Sequence, residues 1–227
     1  IFLLGKSVSS ELCRKNNVNF NNNLVPTWGF PASDVLITSG LNTSDGLTPA
    51  FATGRISAKS ESDVLIYLDK VQNYETNNLP GKFSDDGEWM KTVLHFAGGI
   101  TAFEANNLEN MLNVYRDTIR LPYFGANVLT FRKSSTAPIQ TTTSDSIRIL
   151  LNNGVSMMTF FGHASGSGFD NDLGPPSDFN NNNGKYPLII GNSCFVGDIH
   201  QPITSQISNS EQWVLDPNGA IAFIAQV

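Results

Sequence analysis

The sequence has few basic residues and only two cysteines. Among its 227 residues, lysine and arginine together number 14 and aspartate and glutamate 20, which gives a net charge of −6. Because nucleic acid is bound mainly through lysine and arginine, and these residues form no cluster here, we exclude nucleic acid as the main partner. The two cysteines, Cys13 and Cys194, are too few for a disulfide framework.

Long hydrophobic runs are also missing. No apolar run reaches the roughly 18 residues that a membrane helix needs, so we expect no membrane span. The chain lacks an initiator methionine, and residues 1–5 have neither the basic start nor the cleavage site of a signal peptide. Residues 220–225 form a second apolar run at the other end. We therefore expect both ends to be truncated from a longer protein.

Several common catalytic motifs are absent as well. The sequence contains no G-x-S-x-G nucleophile elbow, which disfavours a serine hydrolase. It also contains neither a G-x-x-x-x-G-K-[ST] phosphate loop nor a G-x-G-x-x-G dinucleotide motif. These absences direct attention to the cysteines and histidines.

Short apolar runs alternate with segments of helical periodicity. This alternation predicts an α/β fold with a mainly parallel central sheet covered on both faces. Ser60 with Asp63, and Ser208 with Glu211, have the spacing of capping boxes at helix starts. The predicted strands include 91–96, 127–131, 155–161, 187–190 and 220–225, with shorter ones at 1–4 and 51–53; the predicted helices include 60–75, 103–119, 144–153 and 208–215.

A histidine and a cysteine each follow one of these strands. His163 comes just after 155–161 and Cys194 just after 187–190, and both are flanked by small residues. The carboxyl ends of parallel strands meet at one edge of a sheet, where ligands bind. A cysteine nucleophile with a histidine acid or base is the natural hypothesis. A buried structural cysteine and a histidine that caps a backbone carbonyl remain the alternatives.

Glu104 lies at the predicted start of the helix that follows the strand 91–96, on the same sheet edge. Its carboxylate could hydrogen-bond the imidazole of His163 and orient it as the third member of a triad. The alternative is a carboxylate that is favoured at a helix start by the helix dipole. Arg55, which follows Gly54, could face a substrate or could be a surface arginine in a turn. We expect the structural role.

The remaining histidines and the aspartates suggest no catalytic metal. His95 falls within a strand and is expected in the core, whereas His200 is expected to be solvated, and their spacing does not fit zinc. Asp170, Asp172 and Asp178, in a loop rich in asparagine, could hold a structural calcium ion. We expect no cofactor to be required.

Two motifs resemble those of the gingipain-like cysteine peptidases, peptidase family C25. Residues 162–165 (Gly-His-Ala-Ser) resemble the family's Gly-His-Gly-Ser, and residues 192–198 (Asn-Ser-Cys-Phe-Val-Gly-Asp) resemble its cysteine motif. Two further segments are similar to the corresponding segments of the family, namely residues 51–56 with the following helix and residues 216–223. The resemblance runs in order through the whole chain.

The resemblance implies a caspase-like three-layer sandwich and cysteine endopeptidase activity on polypeptides. His163 and Cys194 match the catalytic dyad, with a thioester acyl-enzyme as intermediate, and Glu104 lies where the family places a carboxylate. The matching oxyanion donors are the backbone N–H groups of Ala164 and Cys194. Ala164 is a departure, since the family usually has glycine there.

The resemblance also implies a bacterial protein that is secreted or attached to the cell surface, exported through the type IX route. One gingipain-like domain would cover 1–227, with 1–90 as a smaller N-terminal subdomain and 91–227 as the catalytic subdomain. Two other functions stay open. One is a sortase-like transpeptidase that uses the same dyad, and the other is a non-catalytic surface module that keeps the fold. The oligomeric state is unknown.

Overall fold

The computed structural model describes residues 1–41, 46, 48–78, 85–142, 144–181 and 183–227. Short 3₁₀ helices cover Asp34–Ile37, Asp85–Lys91 and Pro176–Asp178. The longer elements, in chain order, are β1 (Phe2–Leu4), α1 (Ser10–Lys15), α2 (Asn17–Asn21), β2 (Gly54–Ile56), α3 (Glu61–Asn77), β3 (Thr92–Ala97), α4 (Ala102–Ile119), β4 (Asn127–Arg132), β5 (Gln140–Thr141), α5 (Asp145–Asn153), β6 (Met157–Phe161), β7 (Ala164–Ser165), β8 (Gly168–Phe169), β9 (Asn171–Asp172), β10 (Leu188–Asn192), α6 (Asn209–Leu215) and β11 (Ala222–Ala225).

Five strands form the central sheet, in the order β11-β10-β6-β3-β4, and every pairing is parallel. Each connection between these strands contains an α-helix, except the one from β6 to β10, which contains the short strands β7–β9 and the 3₁₀ helix Pro176–Asp178. The predicted α/β class with a mainly parallel sheet is therefore confirmed. Within the described ranges, no helix has both the length and the hydropathy needed to cross a membrane.

The central strands are apolar because they are buried on both faces. One face carries Leu94, Phe96, Met158, Phe160 and Ile189, which pack in one cluster with side chains of α5 and α6. The rings of Phe131, Phe96, Phe160, Phe169 and Phe223 form a stacked row, and the Phe160 and Phe169 centroids are 4.0 Å apart. This row joins the sheet to β8, the strand that follows the histidine motif.

Two helices begin at the capping boxes that the sequence predicts. The Ser60 hydroxyl accepts a hydrogen bond from the Asp63 N–H at the start of α3, and the Asp63 carboxylate accepts one from the Ser60 N–H. Ser208 and Glu211 make the same reciprocal pair at the start of α6. Both predictions are confirmed.

The N-terminal strands form a separate two-stranded parallel sheet of β1 and β2. The predicted strand at 51–53 is wrong, because pairing with β1 starts at Gly54, whose N–H donates to the Ile1 carbonyl. The Arg55 side chain is 1% exposed and makes a bidentate ion pair with Asp34, at 2.6 and 2.8 Å. The structural role expected for Arg55 agrees with this ion pair, whereas the expected turn and surface position are wrong, because Arg55 lies in β2 with a buried side chain.

A buried polar cluster joins the N-terminal segment to α6. The ammonium of Lys6 lies 2.5 Å from Glu211 Oε1 and 2.7 Å from the Ile199 carbonyl oxygen. Burial lowers the pKa of Lys6, although Glu211 opposes the shift. His200 is 3% exposed and its Nδ1 is hydrogen-bonded to the Ser7 hydroxyl. The prediction of a solvated His200 is therefore wrong, since distant residues bury it.

Candidate active site

The sheet register brings the cysteine and the histidine to the same level. Asn192, the last residue of β10, pairs with Phe161, the last residue of β6. Cys194 and His163 each follow two residues later, beyond the carboxyl ends of neighbouring strands. The third strand, β3, also ends at this level, because Ala97 pairs with Phe161 from the other side. The loop from β3 leads to Glu104 in the first turn of α4.

The two cysteines differ in exposure. Cys194 is exposed, whereas Cys13 is buried and its pKa is raised by that burial. Ser193 and Val196 are buried near Cys194 and anchor its loop. Between them, Phe195 is 57% exposed and has φ of +61°, in the left-handed region that bulky residues avoid. A strained backbone next to an exposed thiol is typical of a functional site.

The first turn of α6 holds both loops. The Asn209 N–H donates to the Gly166 carbonyl in the histidine loop, at 2.8 Å, and the Ser210 N–H donates to the Val196 carbonyl in the cysteine loop, at 3.1 Å. Gly197 lies so close to the chain after β11 that a Cβ atom there would be 2.7 Å from the Gln226 carbonyl oxygen. The capping box predicts this helix start, but nothing in the local sequence signals its docking onto the two loops.

Glu104 contacts the imidazole. Its Oε1 lies 2.7 Å from His163 Nε2, and its Oε2 accepts a hydrogen bond from the Ile100 N–H at 2.8 Å. The pKa of Glu104 is lowered, first by the Ile100 N–H and then by His163. The carboxylate therefore stays ionised next to the ring. The His163 side chain is 51% exposed, which leaves it open to a substrate.

Ala164 lies in β7, which pairs with β8 in an antiparallel manner, opposite Phe169. Its φ is not positive, since Phe195 is the single non-glycine residue with positive φ in the described part of the chain. An alanine can therefore replace the usual glycine without backbone strain. The Ala164 N–H and the Cys194 N–H both belong to residues at the sheet edge where the two loops begin.

The aspartates proposed for calcium have protein partners. Asp170 Oδ2 accepts from the Gly99 N–H at 2.7 Å, and Asp172 Oδ2 accepts from the Gly174 N–H at 2.9 Å. Among the residues that the structure describes, no group of three or more His, Cys, Asp or Glu side chains could hold a metal ion. Calcium binding by Asp170, Asp172 and Asp178 stays a prediction.

His95 is a core residue, as the sequence predicts. It is 1% exposed within β3, and its Nδ1 has no hydrogen-bond partner in the described ranges. Burial lowers the pKa of His95 to about 4, and the positive charge of Arg116 adds to this effect. His95 is therefore neutral and lies apart from the pair formed by Glu104 and His163.

Comparison with known proteins gives one family. A family model described as peptidase family C25 matches residues 1–227. The chain belongs to peptidase family C25. Among curated proteins, none matches.

Three solved structures share the fold of this chain. The Arg-specific cysteine proteinase gingipain R (RgpB) superposes with a TM-score of 0.66 at 19% identity, over 98% of this chain and 47% of that one. A complex of the pro- and mature domains of RgpB from Porphyromonas gingivalis gives 0.65 at 18% identity, over 98% and 48%. A structure described only as a protease gives 0.64 at 22% identity, over 86% and 40%.

These structural similarities show that the chain has the same fold as the matched parts of those structures. The predicted caspase-like α/β architecture is confirmed by the match to the gingipain domain. The C25 chain spans less than half the length of each of these structures.

Proposed function

We propose that this C25 domain is a cysteine endopeptidase in which Cys194 and His163 form the catalytic dyad. The observation that carries the proposal is the placement of an exposed thiol and an exposed imidazole two residues beyond paired strand ends, with a carboxylate 2.7 Å from the imidazole. The family membership supports a polypeptide as the substrate.

The hydrogen bond from His163 to Glu104 determines which ring nitrogen is available for chemistry. In the neutral ring, Nε2–H donates to Glu104 Oε1, so Nδ1 carries the lone pair. Nδ1 takes the proton of the Cys194 thiol as sulfur attacks the scissile carbonyl carbon. It then gives that proton to the leaving amine as the carbon–nitrogen bond breaks, which leaves a thioester.

Hydrolysis of the thioester reverses these roles. Nδ1 accepts a proton from water as the water oxygen attacks the thioester carbon, and the proton returns to the sulfur when the carbon–sulfur bond breaks. The Ala164 and Cys194 N–H groups are the proposed donors to the oxyanion in both steps. Glu104 keeps the ring oriented and stabilises the imidazolium that forms in between.

The position of Cys194 also bears on the non-catalytic alternative. A surface module that only keeps the fold has no need for an exposed thiol, whereas a nucleophile requires one. The family resemblance further supports a protein that acts outside the bacterial cell or on its surface. Secretion through the type IX route is part of the proposal and is tested by locating the protein in cell fractions.

The experiment uses two cysteine variants. Cys194→Ala should abolish cleavage of a mixed peptide library and labelling by a thiol-directed probe, because it removes the nucleophile. Cys13→Ala is the matched control and should keep both, because Cys13 is buried. Equal cleavage and labelling by Cys194→Ala and the unmodified protein would reject the proposal. Adding a primary amine to the assay distinguishes hydrolysis from transpeptidation by the products formed.

A further inference from the structure

Asp170 makes contacts on both sides of the pair formed by Glu104 and His163. Its backbone N–H donates to the His163 carbonyl oxygen at 2.9 Å. Its carboxylate Oδ2 accepts from the Gly99 N–H at 2.7 Å. The next residue, Ile100, donates its N–H to Glu104 Oε2 at 2.8 Å. With the hydrogen bond from His163 Nε2–H to Glu104 Oε1, these contacts form a closed ring that passes through Asp170.

A buried lysine lies beside the Asp170 carboxylate. Lys133 Nζ is 3.7 Å from Asp170 Oδ2, and the two side chains are 0% and 5% exposed. Lys133 follows β4, and its N–H donates to the carbonyl of Ala97 at the end of β3 at 2.8 Å. The Lys133 ammonium donates no hydrogen bond to any group in the described part of the chain. The charge of Asp170 is therefore the compensation for a buried cation, which keeps the carboxylate in place.

Two glycines make room for this carboxylate. A Cβ atom at Gly98 would lie 2.1 Å from Asp170 Oδ1, and one at Gly162 would lie 2.5 Å from the same oxygen. Gly98 precedes the turn that leads to Glu104, and Gly162 precedes His163. The Gly98 N–H also donates to the Phe161 carbonyl at 2.8 Å. The absence of side chains at both positions lets the carboxylate bind directly against the two backbones that carry the pair.

We propose that Asp170, supported by Lys133, is a positioning residue that fixes the geometry of the pair formed by Glu104 and His163. It touches neither the imidazole ring nor the Glu104 carboxylate, and acts through the Gly99–Ile100 backbone and the His163 carbonyl. This inference rests on the proposed function of His163 in peptide hydrolysis. Without the Asp170 carboxylate, the turn before α4 loses its anchor, and Glu104 loses the fixed Ile100 N–H that orients it.

The test replaces Asp170 and Lys133 together. Asp170→Ala alone leaves the Lys133 ammonium buried without a counter-charge, which can prevent folding. The variant that combines Asp170→Ala with Lys133→Met removes both charges and is the main test. Alanine is used because asparagine would keep an oxygen that can accept from the Gly99 N–H. It should lower kcat about 10- to 100-fold, with KM changed less than about threefold, because misplacement of a catalytic group by about 1 Å slows chemistry more than binding.

A double-mutant cycle separates positioning from general loss of stability. In a Glu104→Gln background, the Asp170→Ala and Lys133→Met changes should cause little further loss of kcat, because they act through Glu104. Multiplicative losses in the combined variant would overturn the proposal. Ile147→Val is the matched control: it perturbs a fully buried residue of α5, and should leave kcat unchanged at a comparable loss of stability.

A spectroscopic measurement tests the positioning without relying on activity. The ¹⁵N chemical shifts of the His163 ring should show the Nε2–H tautomer in the unmodified protein and a mixture of tautomers in the Asp170→Ala and Lys133→Met variant. Wild-type shifts together with wild-type kcat in that variant would overturn the proposal. If the unmodified protein cleaves no peptide, the proposed function fails, and the ¹⁵N shifts alone decide whether Asp170 fixes the pair.

Discussion

Glu104 and His163 are 59 positions apart in sequence, yet the carboxylate Oε1 lies 2.7 Å from the imidazole Nε2. The contact forms because α4 begins at the sheet edge where β6 ends. In Glu104→Gln, a neutral amide cannot stabilise the imidazolium, so we expect kcat to fall about tenfold or more while the fold is kept. Steady-state kinetics with a cleaved peptide measures this.

Glu109→Gln is the control for that prediction. Glu109 lies on the same helix, and its carboxylate is 3.4 Å from Arg132 in a partly exposed ion pair. Such pairs contribute little to stability, and this one is not part of the pair with His163. We expect its kcat to match the unmodified protein. Equal kcat in both variants would mean that Glu104 has no role in the chemistry.

The left-handed backbone of Phe195 should carry strain that a suitable substitution relieves. A bulky residue in this region costs about 1–2 kcal/mol, whereas asparagine tolerates it. Phe195 is 57% exposed, so little apolar burial is lost on replacement. We expect Phe195→Asn to raise the free energy of unfolding by about 0.5–1 kcal/mol in urea denaturation.

Phe103→Asn provides the comparison, because Phe103 is 77% exposed but lies in the regular helix α4. Asparagine is no better a helix former than phenylalanine, so we expect no gain in stability there. If Phe195→Asn is no more stable than the unmodified protein, the backbone at Phe195 carries no strain that asparagine relieves.

His95 should make the fold sensitive to mild acid. Its folded pKa is about 4, below the ordinary value of 6.5. Between these two pH values the unfolded chain binds a proton that the folded protein does not, so the stability falls as the pH is lowered through this window. The difference between the two pKa values corresponds to about 3 kcal/mol in the free energy of unfolding. Urea denaturation at several pH values between 7.5 and 4 measures it.

The variant His95→Asn isolates this effect. It removes the titrating group, so the loss of stability between pH 6.5 and 4 should be smaller than in the unmodified protein. His200 is buried as well, with its pKa lowered by burial, and its contribution stays in both proteins. An unchanged pH dependence in His95→Asn would assign the sensitivity to other groups.

The ion pair between Lys6 and Glu211 should be important for stability. Both side chains are at most 2% exposed, so Lys6→Met leaves a carboxylate buried without its counter-charge. We expect a loss of about 3–5 kcal/mol in the free energy of unfolding. Lys15→Met breaks the exposed pair with Glu11 and should cost about 0.5 kcal/mol or less. Similar losses in the two variants would contradict the prediction.

The strands that carry the candidate site were predictable because their signal is local. The apolar runs 155–161 and 187–190 correspond to β6 and β10, which the structure places at Met157–Phe161 and Leu188–Asn192. Strands buried on both faces appear in the sequence as continuous apolar segments. The capping boxes at Ser60 and Ser208 are equally predictable, because the partner of each serine lies only three residues later in the sequence.

The parts that the sequence could not predict depend on residues far apart in the chain. His200 is buried because Ser7 and the N-terminal segment cover it, across 193 positions. The two-residue strands β5 and β9 pair through polar residues and have no apolar alternation. The Asp170 contacts with Gly99 and Lys133 likewise join distant segments, and no local pattern in the asparagine-rich loop indicates them.

Helix α6 is bonded to the histidine loop at Gly166 and to the cysteine loop at Val196, and its Glu211 is neutralised by Lys6 near the start of the chain. Trimming the protein to the segment that carries Glu104, His163 and Cys194 would discard Lys6 and with it the counter-charge that packs against Glu211. We expect helix α6 to dock less firmly in such a fragment and to hold both loops less firmly as a result. The N-terminal segment thus supports the helix that contacts both loops, although it contributes none of the proposed catalytic groups.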